Sequence, residues 1–274
     1  MARPTRKIQP SRTRQTNQDM DFQDVGSIKR KRSWVIYGKS GTGKTTLAGS
    51  FPGPALLLDC RDEGTDSVSD VEGLMVKDIQ SFDDFEEVYW YLKEHPKEFK
   101  TVIVDTVTML MFMIIEELVG DKLKKSGKAP GDWGTMTKQD WGTVASKLKV
   151  WITNYRDLPM EIVFLAQERT FNVGDEESDV GGLDPEVGPS LSPSVKSHLN
   201  AAVGFIGQTF IRSRMVKVKD KKGKESQREK MEYCIRVGPN SLYTTKVRKP
   251  KSTELPDILV DPTYEELVSI IQGE

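Results

Sequence analysis

Gly38-Lys39-Ser40-Gly41-Thr42-Gly43-Lys44-Thr45 constrains this chain more than any other stretch. It is a full match to the phosphate-loop pattern G-x-x-x-x-G-K-[ST]. The glycines let the backbone curl so that consecutive N–H groups point inward at a phosphate. Lys44 would reach the β- and γ-phosphates as a point charge. The Thr45 hydroxyl would bind Mg²⁺, and a helix starting here would aim its positive end at a triphosphate. The expected cradle is therefore Gly38, Lys39, Ser40, Gly41, Thr42, Gly43, Lys44, Thr45 and Thr46.

The flanks agree with that reading. Ser33-Trp34-Val35-Ile36-Tyr37 reads as a short buried strand, and Thr46-Leu47-Ala48 as the start of a helix that Pro52 ends. A chain of 274 residues is long enough for one large α/β domain. It has no apolar run of membrane-spanning length, and the basic N-terminus lacks the apolar core of a secretory signal. Two cysteines, Cys60 and Cys234, and two histidines, His95 and His198, make neither a zinc site nor a disulfide framework. A reducing cytoplasm is the expected compartment.

The net charge of −1 is unevenly spread. Residues 1–33 hold nine Lys/Arg against three Asp, and residues 212–230 hold nine Lys/Arg against three acidic residues. Each segment is thus +6, which leaves −13 for the rest. Two basic segments on an acidic protein point to an anionic partner such as nucleic acid.

Residues 1–30 read as a disordered basic arm, and 31–274 as the folded domain. Pro54–Asp59 and Thr101–Asp105 read as buried strands, each ending in a carboxylate, and Glu161–Gln167 as another ending in polar residues. Ser81 caps a helix with Phe82, Phe85, Val88, Tyr89 and Leu92 at helical spacing. Further helices are expected over Met109–Val119, from about Gln139 to Tyr155, and after Thr263. Residues 121–138 are expected to form a lysine-rich loop, and 170–195 a long acidic one. Ala202–Lys219 and Met231–Val237 look like strands of a basic hairpin, with another strand at Leu242–Val247. Strands alternating with helices imply a mostly parallel sheet, with ligands at the C-terminal edge of its strands.

Asp105 is the candidate partner of Thr45 for Mg²⁺, because three apolar residues followed by Asp place a carboxylate at the sheet edge. Hydrolysis needs a group that orients or activates water. Asp62 and Glu63 follow the second strand, and Glu63 is the preferred catalytic carboxylate. Gln167 is placed to sense a γ-phosphate.

With these residues placed, the chain resembles the RecA-like P-loop ATPases, and most of all their small phage-encoded branch of annealing and recombination proteins. The resemblance rests on Gly38–Thr46, on Thr101–Thr106, on Gln139-Asp140-Trp141-Gly142 and on Ile162–Glu168. It implies a RecA-like (ASCE) P-loop NTPase core, a mostly parallel sheet flanked by helices, with a C-terminal antiparallel β extension. It also implies ATP and Mg²⁺ as ligands, binding to single-stranded DNA, and assembly into a homo-oligomeric ring or filament. A single-strand-binding protein is a further partner of that setting, and no membrane is. ATP sites in the family are completed by a neighbouring subunit, a role that Lys246 and Arg248 fit. Family members carry the catalytic carboxylate two residues after the strand-end Asp. Arg61 stands there in this chain, so Glu63 would act from a shifted loop. The family's DNA-holding loop is here acidic, with Asp175, Glu176, Glu177 and Asp179. DNA contact therefore falls to Lys124, Lys125, Lys128 and Trp133, and to the hairpin residues Lys217, Lys219, Lys221 and Lys222. Two other readings stay open. One is a nucleotide switch or loader without DNA contact, and the other a small-molecule kinase with Asp59 activating a hydroxyl.

Overall fold

The computed structural model describes residues 31–62, 64–126, 136–172, 185–219 and 225–273. Glu63, Lys128, Trp133, Lys221, Lys222, residues 1–30 and most of the acidic loop lie outside the described residues, as does the side chain of Lys219.

The strand before the phosphate loop, β1 (Ser33–Gly38), is buried throughout and sits in the middle of a ten-stranded sheet. The other parallel strands are β2 (Ala55–Asp59), β3 (Leu74–Asp78), β4 (Thr101–Asp105) and β5 (Glu161–Phe171). Parallel pairing runs β3-β2-β4-β5-β1 and continues to β7 (Phe205–Lys219). β5 is thus interposed between the phosphate-loop strand and the strand that ends in Asp105. Beyond β7 the sheet turns antiparallel, through β8 (Glu225–Arg236) and β10 (Ile258–Val260). The expected α/β class, a mostly parallel sheet with an antiparallel C-terminal extension, is what the structure shows.

Period-two alternation divides the core into two layers. Trp34, Ile36, Leu57, Ile103, Val163 and Leu165 face α1 (Lys44–Gly49) and α6 (Tyr264–Gln272). Val35, Tyr37, Leu58, Val104, Ile162 and Phe164 face the other helices. These are α2 (Phe82–Glu94), α3 (Val107–Ser126), α4 (Lys138–Arg156) and α5 (Pro193–Ala202). Each fully buried side chain of this kind contributes roughly 1.5–3 kcal/mol. Ser81, Thr137 and Thr263 start α2, α4 and α6 through capping boxes with Asp84, Asp140 and Glu266.

Several expectations are corrected. α3 runs on to Ser126, so Lys124 and Lys125 lie in its last turn rather than in a loop. Lys122 reaches from α3 to Asp140 of α4, and lysines in a final helical turn also complement the helix dipole. β5 continues past Gln167 to Phe171, because β6 (Glu186–Pro189) pairs with its end. β6 and α5 thus occupy part of the segment read as loop. Leu242–Val247 is strand only at β9 (Lys246–Val247), with one isolated bridge at Tyr243. β8 begins at Glu225, six residues before the expected Met231.

β7 and β8 together build a ribbon. β7 is paired to β1 only as far as Thr209, opposite Gly38. From Arg212–Glu232 to Lys219–Glu225, eight successive residue pairs join the two strands to each other, with no third strand paired to them among the described residues.

Candidate nucleotide site

The loop between β1 and α1 takes its form from two close constraints. Gly43 has φ 84°, a left-handed conformation that a side chain would strain. A Cβ at Gly38 would collide with the Thr209 carbonyl on the neighbouring strand. The Thr42 hydroxyl lies 2.8 Å from the Thr209 hydroxyl and donates at 2.8 Å to the Lys39 carbonyl, so the loop is braced on both sides. Lys44 is 6% exposed, and its Nζ donates to the Gly38 and Lys39 carbonyls at 3.2 and 2.9 Å. Burial lowers its pKa, while Asp105, Asp62 and Glu168 oppose that shift. A cation is therefore held in place under the loop.

β2, β4 and β5 bring their ends to the same edge. Asp59 is in register with Asp105, and Gly38 with Gln167. The Thr45 hydroxyl donates to Asp105 Oδ2 at 2.7 Å. Asp105 Oδ1 is buried and has no hydrogen-bond partner. Burial, opposed by the Thr45 hydrogen bond, pushes the Asp105 carboxyl up to about 6. An orphaned buried carboxylate oxygen beside a hydroxyl is a hard-oxygen donor set that suits Mg²⁺. The residues present therefore fit the ion expected there.

Asp62 lies in the same cleft. Its carboxylate accepts from Gln167 Nε2 at 3.2 Å, and its own N–H donates to Asp59 Oδ1 at 3.0 Å. Burial pushes the Asp62 pKa up, with Lys44 and the Gln167 hydrogen bond pulling it down. The Gln167 backbone N–H donates to Thr108 Oγ1 at 3.1 Å, which fixes that part of β5 to the start of α3.

The cleft has a volume of about 590 Å³. Its lining includes Ser40 to Leu47, Asp62 and Gln167, together with Tyr233 and Cys234 of β8 and Asp261 and Pro262 just after β10. Thr209 and Tyr233 carried no local sequence signal for such a role, since register across the sheet brings them to the loop.

The other predicted residues lie elsewhere. Lys246 Nζ donates to the Asn200 carbonyl at 2.6 Å, and Arg248 to the Ala201 carbonyl at 3.4 Å, at the C-terminal end of α5. Lys246 is in register with Ile206, towards the start of β7 and away from this copy's own phosphate loop. Lys124 is exposed near Asp121, at 3.9 Å. Lys217 is exposed on the ribbon.

A KaiC-like protein from the hyperthermophilic archaeon Pyrococcus horikoshii is similar at 12% identity and a TM-score of 0.38, over 84% of this chain and 89% of its own. The flagellar accessory protein FlaH from Methanocaldococcus jannaschii is similar at 12% identity and a TM-score of 0.36, over 87% of this chain and 93% of its own. Nothing about activity follows from likeness that remote. No match was found among curated proteins. Residues 30–248, which hold the whole phosphate loop and Asp105, match the AAA domain family, and the chain belongs to that family.

Proposed function

We propose that this protein is a Mg²⁺-dependent ATPase acting on single-stranded DNA in phage-type recombination, annealing or replication. The carrying observation is the phosphate cradle with Lys44 buried beneath it and the Thr45–Asp105 pair at its edge. Thr45 and Asp105 would hold Mg²⁺, which supplies neutralisation of the charge on the β- and γ-phosphates. Asp62 accepts the proton of the attacking water, and Gln167 orients that water or the γ-phosphate. Glu63, the carboxylate expected from the sequence, lies outside the described residues, whereas Asp62 lines the cleft.

The ribbon supports the nucleic-acid part. Arg212, Arg214, Arg228 and Lys230 share one of its faces, with Glu232 as the acidic member. Arg212 is paired with Glu232 at 2.8 Å, which leaves Arg214, Arg228 and Lys230 as the candidate phosphate contacts. Lys124, Lys125 and Lys217 add exposed cations. Assembly into a ring or filament would bring Lys246 and Arg248 to a neighbouring copy's γ-phosphate.

A second reading, a nucleotide switch that answers to a protein partner, has one observation in its favour. The opposite face of the ribbon exposes Ile211, Met215, Met231 and Tyr233. Steady-state ATP hydrolysis with Mg²⁺, with and without single-stranded DNA at low and moderate salt, separates the two. Stimulation that fades with salt is the expected result. Turnover indifferent to DNA overturns the DNA reading and favours the switch.

A further inference from the structure

β5 and β7 both pair with β1, one on each side, and β1 ends at Gly38, where the phosphate loop departs. Gln167 is the β5 residue in register with Gly38, so Glu168 stands one residue past the end of that pairing. There a side chain bridges the two outer strands. Gln208 of β7 is 4% exposed, and its Nε2 donates to Glu168 Oε2 at 2.8 Å. The bond joins directly two strands that β1 otherwise keeps apart. The other end of the amide, Oε1, accepts from Arg236 Nε at 3.4 Å. Arg236 is in register with Gln208, and its guanidinium lies 4.9 Å from the centre of the Phe210 ring and 4.3 Å from that of Tyr243. The amide therefore sits between an acid on β5 and a base on β8, with one end turned to each.

We propose that Gln208 is a positioning residue for ATP hydrolysis, the buried amide that holds Glu168 and thereby aims Gln167 at Asp62. The role rests on the ATPase reading of the cleft and gives a function to a side chain which that reading leaves idle. Successive side chains of a strand point to opposite faces, so fixing Glu168 on one face sets the direction of Gln167 on the other. Gln167 meets the Asp62 carboxylate at 3.2 Å, a contact that a small rotation of the strand would open. Gln208 does not line the cleft, so its influence on the reaction passes through its partners. The residue type follows from the neighbours. An ionised carboxylate only accepts hydrogen bonds, and a guanidinium only donates them. One side chain serves both at once only if it carries a donor and an acceptor, as an amide does. Glutamate would repel Glu168, and lysine would repel Arg236. Leucine would fill the space and leave both partners without their bond.

The test is single-turnover and steady-state ATP hydrolysis with Mg²⁺, beside calorimetric titration with a non-hydrolysable ATP analogue. It is run on the full chain and on Gln208→Leu, Glu168→Ala, Glu168→Gln and the double variant Gln208→Leu with Glu168→Ala. Thermal melts check that each variant folds. Gln208→Leu is expected to bind the analogue as the wild type does and to lose about tenfold in kcat. The double variant is expected to lose no more than Glu168→Ala alone, because both changes cut one tie. The Glu168 charge also acts on Lys44, a loss common to Glu168→Ala and the double variant, so it cancels in that comparison. Glu168→Gln gives up the same charge but can still accept from Gln208, and is expected to keep more turnover than Glu168→Ala. A folded Gln208→Leu with wild-type kcat overturns the proposal. So does a double variant whose losses add, or a Gln208→Leu that loses analogue affinity and kcat in proportion, the mark of a site merely loosened. If Gln208→Leu does not fold, the two Glu168 variants decide, and equal turnover in both overturns the tie. A wild type that binds the analogue and turns over no ATP overturns the ATPase reading itself, and the positioning role with it.

Discussion

Arg61 has φ 60°, a left-handed conformation uncommon outside glycine, and its guanidinium is engaged away from the cleft. It pairs with Glu116 at 2.8 Å and donates to the Gln80 carbonyl. The turn that Arg61 makes is closed by the Asp62 N–H donating to Asp59, and it delivers the Asp62 carboxylate to Gln167. Arg61, two residues after the strand-end Asp59, is thus turned away from the cleft, and the next residue enters it. Asp62→Asn keeps the shape and removes the carboxylate proposed as the base. Its kcat for ATP hydrolysis is expected to fall by about 10²–10⁴-fold, with nucleotide affinity retained. Single-turnover kinetics alongside equilibrium titration would show this, and undiminished turnover would take the role away from Asp62. Lys44→Ala acts earlier in the cycle. It removes the only cation seated under the loop among the described residues, so titration should detect no ATP binding.

α5 and β6 are held together by chemistry more than by pattern. Lys196, in α5, is 6% exposed; it pairs with Glu186 at 2.8 Å and lies 3.8 Å over the Phe171 ring. Removing one partner of such a pair leaves the other charge uncompensated. Lys196→Ala should cost about 2 kcal/mol in urea unfolding, below the range for a fully buried pair because Glu186 keeps some water and its bond to Thr244. His198, also in α5, lies 2.9 Å from the Thr153 hydroxyl of α4. Burial and the nearby Lys149 and Arg156 lower its pKa from 6.5, although a backbone hydrogen bond at Lys149 opposes them. Above pH 6.5 the ring is neutral in both folded and unfolded chains and stability does not depend on it. As pH falls through that value, the unfolded chain takes up the proton first, so the fold loses stability. His198→Gln should flatten the decline in melting temperature below pH 6.5, and an unchanged slope would place the titration elsewhere. α5 itself escaped the sequence reading because only Val195, Lys196 and Leu199 are buried, too few to show a helical period. β3 escaped for the opposite reason. It is an edge strand with Met75 and Val76 half exposed, whereas β1, β2 and β4 are continuous apolar runs because both their faces are covered.

Across the whole molecule the sheet has two halves with different work. The parallel half holds the phosphate loop and the carboxylates, and most of this was legible because each motif is local in sequence. The antiparallel half was legible only as a basic hairpin. Its share in the cleft depends on register between residues far apart in the chain, such as Gly38 opposite Thr209, and no local pattern records that. The ribbon also divides by face, since alternate residues of paired strands point to opposite sides. Tyr233, Ile211, Met231 and Met215 lie on one side, and Arg214, Arg228 and Lys230 on the other. That division lets the proposed nucleotide and DNA functions be tested separately by mutation. Replacing Arg214, Arg228 and Lys230 together by glutamine should leave ATP affinity unchanged, because none of the three lines the cleft. If each meets a phosphate, binding to single-stranded DNA should weaken and its log–log salt slope should fall by about 2, at roughly 0.7 per lost contact. The control is Met215→Ser with Met231→Ser, which alters the apolar side and should leave that slope intact. A slope unmoved by the charge variant would release the ribbon from the nucleic-acid role. A slope moved by both variants alike would mean that the ribbon acts through its folding rather than its charge.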